Sequence, residues 1–350
     1  MTTPGQWQTH KRAIVDAYAT PSDAYGALQF LSVIGPIAAL WVVIGLASQG
    51  PIWLIPLATA LLSLFLLRGF VLMHDCGHDS LFRSRRLNRF AGFLLGVLAG
   101  MPQPVWAENH RYHHTTNGNW ARYRGPLNVA CVSDYLAMNA RERRHYRYTR
   151  DILMAPVAGC LYFLVNPRVT WLRATFQLLR RRPAPGSVVA TAAHYRHMTW
   201  NNVVLLSAWG LMAWAIGPWL FLACCLVSGS LAGGYGIVLF TVQHNFEHAY
   251  ASADPGWDRD EAALHGTSFL VLPRWLNWIT ADAAYHHVHH LCASVPNYRL
   301  AACHEEHEVL FSKVRRVGLL EIPASLKYVL WDLQARRLVS VAEVMRAQGA

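Results

Sequence analysis

Four apolar runs constrain the fold of this 350-residue chain more than any other feature. Gly26 to Ser48 and Pro51 to Met73 are each long enough for a membrane-spanning helix, which needs about 20 mostly apolar residues. Only Gln49-Gly50 separates them. Asn202 to Ile216 and Trp219 to Val242 form a second pair, broken at Gly217-Pro218, a natural turn. The pattern predicts an all-α integral membrane protein. Its four transmembrane helices form two hairpins, with spans at about 26–48, 51–73, 202–216 and 219–242. Phe90 to Val105 and Ile152 to Val165 are apolar but short, and read as interfacial or buried helices.

Composition agrees. Charged residues are only 15% and mean hydropathy is +0.19, too few charges to solvate an ordinary globular surface. A disordered chain would be polar and charged, so that class is excluded. Lys plus Arg outnumber Asp plus Glu by 31 to 20. A basic balance suits nucleic acid or an anionic membrane. The hydrophobicity decides for the membrane, and no nucleic-acid partner is expected. Every Lys and Arg except Arg68 lies outside the four runs, and neither hairpin tip carries one. The positive-inside rule then places both termini and both long polar stretches in the cytoplasm, with the inner (plasma) membrane as the expected location. Arg68, near the end of the second span, is expected to snorkel. The first apolar run is too long for a signal peptide. The seven cysteines contain no CxxC and read as reduced, buried hydrophobes. Ser228, Gly229, Ser230, Gly233, Gly234 and Gly236 read as close helix packing, with a slot for an acyl chain as the alternative. Arg180-Arg181-Arg182 with Pro183 and Pro185 reads as an exposed loop or a lipid headgroup contact.

The histidines carry the chemistry. Four five-residue windows, HDCGH (74–78), HRYHH (110–114), HNFEH (244–248) and HHVHH (286–290), hold 11 of the 18. Proportional scatter would put about one there. On a helix, residues at i, i+3 and i+4 share a face. His74 and His78 have that spacing, as do His110, His113 and His114. So do His244 and His248, and His286, His289 and His290. His287 falls off the shared face and reads as a supporting or packed group. The first and third windows begin where the second and fourth spans end, so two hairpins bring them to one membrane face. The other two follow in the polar segments.

Ten imidazoles are too many for one ion and fit two, with about five each. Structural zinc is four-coordinate and often thiolate-bound, a poor match. The soluble di-iron carboxylate pattern needs two ExxH motifs, and only Glu142–His145 is present. The count therefore suggests two irons and oxygen chemistry. His10, His145, His194, His197 and His265 read as isolated, and His304 and His307 as a surface helix face. Asp75, Asp79, Glu108, Asn245, Glu247 and Asp282 are candidates to orient ligands or to face solvent.

These windows resemble the membrane fatty acid desaturase superfamily, whose pattern is HX3-4H, HX2-3HH and a distal HX2HH. His244 and His248 occupy the place of that family's further metal-binding element. The stretch HRYHHTTNGNWARYRGPLNV resembles the region after the second box in bacterial acyl-lipid desaturases. YHHVHHLCASVPNYRLAACH resembles the third box and tail of the omega-6 (delta-12-type) branch. The resemblance implies a desaturase domain over residues 26–310, a cytoplasmic N-terminal segment at 1–25 and a cytoplasmic tail at 311–350. It implies a cytoplasmic helical cap carrying the histidine-rich dimetal site, with His74, His78, His110, His113, His114, His244, His248, His286, His289 and His290 on two Fe ions, Fe2+ when reduced. Dioxygen would be co-substrate, and a cis double bond in a fatty acyl chain the product, with a membrane lipid or other acyl compound as substrate. No dinucleotide, iron–sulfur or haem motif is present, so a ferredoxin-like or cytochrome electron donor with its reductase is implied. Related hydroxylases and ketolases of lipids, carotenoids or alkanes share the boxes. A metal transporter fits less well, because its ionisable groups belong near the bilayer midplane.

Overall fold

The computed structural model describes residues 4–180 and 191–349. The cluster Arg181-Arg182 with Pro183 and Pro185 lies outside the described residues. The chain divides into two compact units. One comprises Pro21–Asn109 and Pro156–Gly236, the other Met1–Thr20, His110–Ala155 and Ile237–Ala350.

The first unit is helical. Ser22 caps the helix Asp23–Ala47, its side chain accepting from the Tyr25 amide. At 25 residues this helix is roughly 37 Å long, enough to cross a 30 Å hydrocarbon core. The chain turns at Gln49-Gly50 into Leu54–Gly77. A Cβ at Gly69 would lie 3.2 Å from Val33 Cγ1, so the two helices pass close there. Arg68 does not snorkel. It is 1% exposed, donates to Ser32 Oγ at 3.2 Å, and donates to Gln29 Oε1. Polar side chains on the neighbouring helix satisfy it in place of water.

Among the described residues, four helical segments are long and apolar enough to cross a membrane: Asp23–Ala47, Leu54–Gly77, Ile152–Leu179 and Pro218–His244. A bent pair, Arg85–Leu98 with Gln103–Thr116, adds a fifth only if counted as one span. The third segment differs from the expected 202–216. Asn202 to Ile216 belongs to a longer helix, Ala192–Ile216, whose first turns carry His194, Arg196, His197 and Asn201 and dilute its apolar length. Ile152–Leu179 runs through Arg168 without a break because that guanidinium is satisfied locally. It donates to Asn202 Oδ1 at 2.8 Å and to the carbonyls of Phe163 and Gly100 at 3.0 and 2.5 Å. The glycines expected at a close helix contact include Gly233. A Cβ on it would lie 2.5 Å from the Gly159 Cα, so the two backbones touch.

The second unit is mixed, which corrects the all-α expectation. β1 (Ala130–Cys131) pairs in parallel with β4 (Tyr328–Asp332), which pairs antiparallel with β5 (Arg337–Ser340). β2 (Ser268–Val271) pairs in parallel with β3 (Arg315–Gly318). Residues 311–350 therefore complete sheets begun far upstream and are folded throughout their described part. Short strands of Val, Leu and Trp with one buried face were masked in the sequence by the stronger helical signal. A buried cluster joins Ile14 and Tyr18 of the N-terminal helix Pro4–Tyr18 to Phe269, Val288, Leu300 and Phe311. The helix is tied down as well: Trp7 Nε1 donates to Asp260 Oδ2 at 2.8 Å, and Lys11 pairs with the same carboxylate. All seven cysteines are free, as expected.

Candidate metal centre

His74 and His78 close the helix Leu54–Gly77 of the helical unit, His78 as its C-cap. Their ligand nitrogens lie within 4.8 Å of each other. His74 Nδ1 is 2.8 Å from Asp75 Oδ1. A donated Nδ1–H fixes the tautomer and leaves Nε2 as a lone-pair donor.

The mixed unit gathers seven more. His110, His113 and His114 stand on the last turns of Gln103–Thr116. His286, His289 and His290 come from a six-residue helix, His286–Leu291. His244 is the last residue of Pro218–His244. All seven are buried. They form two groups. The ligand nitrogens of His113, His244, His286 and His290 lie within 4.8 Å of one another, and those of His110, His114 and His289 do the same. Within the first group, Nε2 of His286 is 2.9 Å from Nε2 of His244, and Nε2 of His113 is 3.2 Å from Nε2 of His290. Within the second, His114 Nε2 is 2.9 Å from His110 Nε2 and 3.0 Å from His289 Nε2. Imidazole nitrogens about 2.0–2.1 Å from one ion, at right angles, would stand roughly 3 Å apart. The donor sets fit a metal.

The surroundings favour neutral imidazole, the ligating form. His244 Nδ1 lies 3.2 Å from the Gly266 carbonyl, which turns Nε2 inward. Burial holds the His290 pKa well below the usual histidine value, helped by His114, His286, His113 and His244 around it.

His248 is not brought in. The helix ends at His244, residues 246–248 form a bend and turn, and the i,i+4 geometry is lost. Its side chain is 78% exposed, with Nε2 4.0 Å from Glu247. His304, expected on a surface face, is buried. Its Nδ1 is 2.9 Å from His287 Nε2, and its ring stacks on Phe311. Burial lowers the pKa of both His287 and His304, so the off-face histidine is held by a neutral partner behind the third box. Among the acidic and amide candidates, Asp75 meets a box histidine. Glu108 pairs with His194 at 3.2 Å, Glu247 with Arg337 at 2.9 Å, and Asn245 donates to the Tyr328 carbonyl at 3.0 Å. The Gly266 carbonyl and Tyr123, whose ring is 5.0 Å from His113, were not foreseen, since no spacing rule reaches across a turn.

The family model for fatty acid desaturases matches residues 51–317. This chain belongs to the fatty acid desaturase family. It is an oxidoreductase, and similarity extends across most of its length. A fatty acid desaturase of Bacillus subtilis is 33% identical over 93% of this desaturase and 88% of its own length. The sn-1 oleoyl-lipid 12-desaturase of Synechocystis is 24% identical over 67% of this chain and 63% of its own. The chloroplastic omega-6 fatty acid desaturase of Spinacia oleracea is 23% identical over 74% and 54% respectively.

Proposed function

We propose that this desaturase inserts a cis double bond into the acyl chain of a membrane lipid, using dioxygen at two histidine-bound irons. The buried grouping of seven imidazoles, with Nε2 spacings near 3 Å, carries the reading. His113, His244, His286 and His290 hold one ion. His110, His114 and His289 hold part of the other, and the family resemblance adds His74 and His78 of the first box to the metal ligands. The irons, when bound, supply oxygen reduction and removal of hydrogen from an unactivated CH2 group.

The chain's own residues hold ligands and substrate. Asp75 and the Gly266 carbonyl orient His74 and His244. Within the helical unit, a cavity of about 100 Å³ is lined by Ile37, Trp41, Phe70, Phe163, Phe221 and Gly229, among others. An apolar void of roughly 150 Å³ takes a benzene, so this one takes the last few carbons of a chain. Phe70 stands one helical turn before His74, which sets that tail close to the first box. Apolar walls exclude water and hold the methylene in place. Electrons come from a ferredoxin-like or cytochrome donor, and the site faces the cytoplasm from the inner membrane.

The test is lipid profiling by mass spectrometry, with double bonds located, in a host expressing this chain with a ferredoxin and its reductase. A new unsaturated acyl chain, absent with His110→Ala, is expected. An added oxygen instead would make the protein a hydroxylase or ketolase. No iron in folded protein would sink the metal assignment.

A further inference from the structure

β2 and β3 run in parallel and stop at the same end, with Val271 beside Gly318. Beyond that end each strand delivers apolar residues to the surface. β2 passes through Pro273 into a six-residue helix, Arg274–Ile279, on which Trp275 and Trp278 stand three apart and share a face. β3 passes directly into Leu319 and Leu320. Trp275 is 61% exposed and Leu320 96%, and Val271, Trp278 and Leu319 are exposed as well. Single apolar side chains at a surface are ordinary. Two tryptophans and two leucines leaving one end of one ladder make a patch, and such patches mark contact sites.

The height of the patch says what covers it. Leu239 and Val242, in the last two turns of Pro218–His244, share a buried cluster with Leu270 of β2 and Val317 of β3. Ser268 Oγ donates to the Val242 carbonyl at 2.9 Å, and Gln243 Nε2 to the Ala283 carbonyl at 2.5 Å. The ladder is therefore fixed to the end of that helix. At a rise of about 1.5 Å per residue, about 20 residues cross a hydrocarbon core about 30 Å thick. A helix that enters the core at Trp219 leaves it near Leu239, so the ladder lies level with the lipid headgroups. Tryptophan collects at that level because its ring is apolar and its indole N–H polar. The charges agree. Arg274 and Lys327 are exposed and make no ion pair among the described residues. Glu321, next to Leu320, already accepts from Arg315 at 2.5 Å and from the Gly318 amide at 2.8 Å. An anionic lipid surface attracts the two unpaired cations.

We infer that Trp275, Trp278, Leu319 and Leu320 anchor the mixed unit in the headgroup–acyl boundary of the bilayer. The inference rests on the reading of Pro218–His244 as a membrane span. Its consequence falls on the third histidine box. The chain between Trp278 and His286 is short and held by its own turns: the Asp282 amide donates to the Asn277 carbonyl at 2.8 Å, and the Tyr285 amide to the Asp282 carbonyl at 3.0 Å. The anchor thus sets the height at which His286–Leu291 stands over the acyl chains.

The experiment uses the full-length protein in lipid nanodiscs that contain anionic phospholipid. An environment-sensitive fluorescent amino acid replaces Leu320 in one preparation and Leu226, inside the span, in another. Lipids carrying a nitroxide at two depths quench from the bilayer side, and iodide quenches from water. The probe at Leu320 is expected about 5–10 Å into the headgroup–acyl boundary, out of reach of iodide. Adding Trp275→Ser is expected to move that probe outward and to admit iodide. A probe at Leu320 that iodide quenches and the lipids do not puts the patch in water and overturns the anchor, while lipid quenching at Leu226 keeps the span. A probe that neither quenches is covered by protein, which overturns the anchor too. A depth unchanged by Trp275→Ser overturns the tryptophan's part in it. No lipid quenching at Leu226 removes the span beneath both.

Discussion

His248 stands four residues after His244, and on a continued helix the two rings would share a face. The helix stops at His244, and one side chain goes to the buried group while the other goes to solvent. His248→Ala is therefore expected to keep its full metal complement, with stability changed by no more than about 0.5 kcal/mol. His244→Ala should weaken metal binding by at least about tenfold. Metal analysis of the two purified variants separates them. His304 gives a second residue-scale expectation. Its pKa is lowered in the fold by burial and by Arg316, while an unfolded histidine titrates near pH 6.5. Below about pH 6.5 the unfolded chain binds the proton that the folded chain refuses, so stability falls as pH falls. His304→Phe removes that term. The loss of urea midpoint between about pH 7.5 and about pH 5.5 should be smaller than in the wild type, and an unchanged loss would place the acid sensitivity elsewhere.

Among the elements, glycines in helices separate two effects of opposite sign. Alanine is favoured over glycine in a helix interior by about 1 kcal/mol. At Gly210 an added Cβ meets nothing within 4 Å, so Gly210→Ala should be neutral or stabilising. At Gly233 the same Cβ would sit 2.5 Å from the Gly159 Cα, and overpacking of about 1–3 kcal/mol outweighs the propensity gain. Thermal unfolding in detergent should move up or stay for the first and fall for the second. The helices at 23–47, 54–77 and 218–244 were legible because a long apolar run admits few alternatives. Ile152–Leu179 was not, because Pro167 and Arg168 look like a break. Nothing in the local sequence says that Asn202 and two carbonyls wait for that guanidinium. Eight of the box histidines are buried and His78 is half-buried, and their i, i+3, i+4 spacing marked them in the sequence. His248 misled because spacing says where residues would lie on a helix and not where the helix ends. His304 misled because it stands one turn from charged neighbours and reads as surface.

At the scale of the molecule, the last forty residues are the part least visible in sequence. β3 continues β2, and β4 joins β1 to β5, so residues from 311 onward finish two sheets. Removing Phe311–Ala350 should leave β1 and β2 as unpaired edges and open the cluster beneath the third box. The shortened chain is expected to lose bound metal and to be cleaved readily by protease, whereas a dispensable tail would leave both unchanged.

The N-terminal helix has one more consequence. Tyr18 donates to Glu306, a partner 288 positions away along the chain. At about 5–20 residues per second, Tyr18 leaves the ribosome roughly 15–60 s before its partner is made. Through that interval the amphipathic opening segment has no floor to lie on. The third box, when it emerges, is seated on a piece of protein that has been waiting through most of that interval. Assembly of the histidine cluster is thus a late event, timed by the synthesis of the segment that carries Glu306.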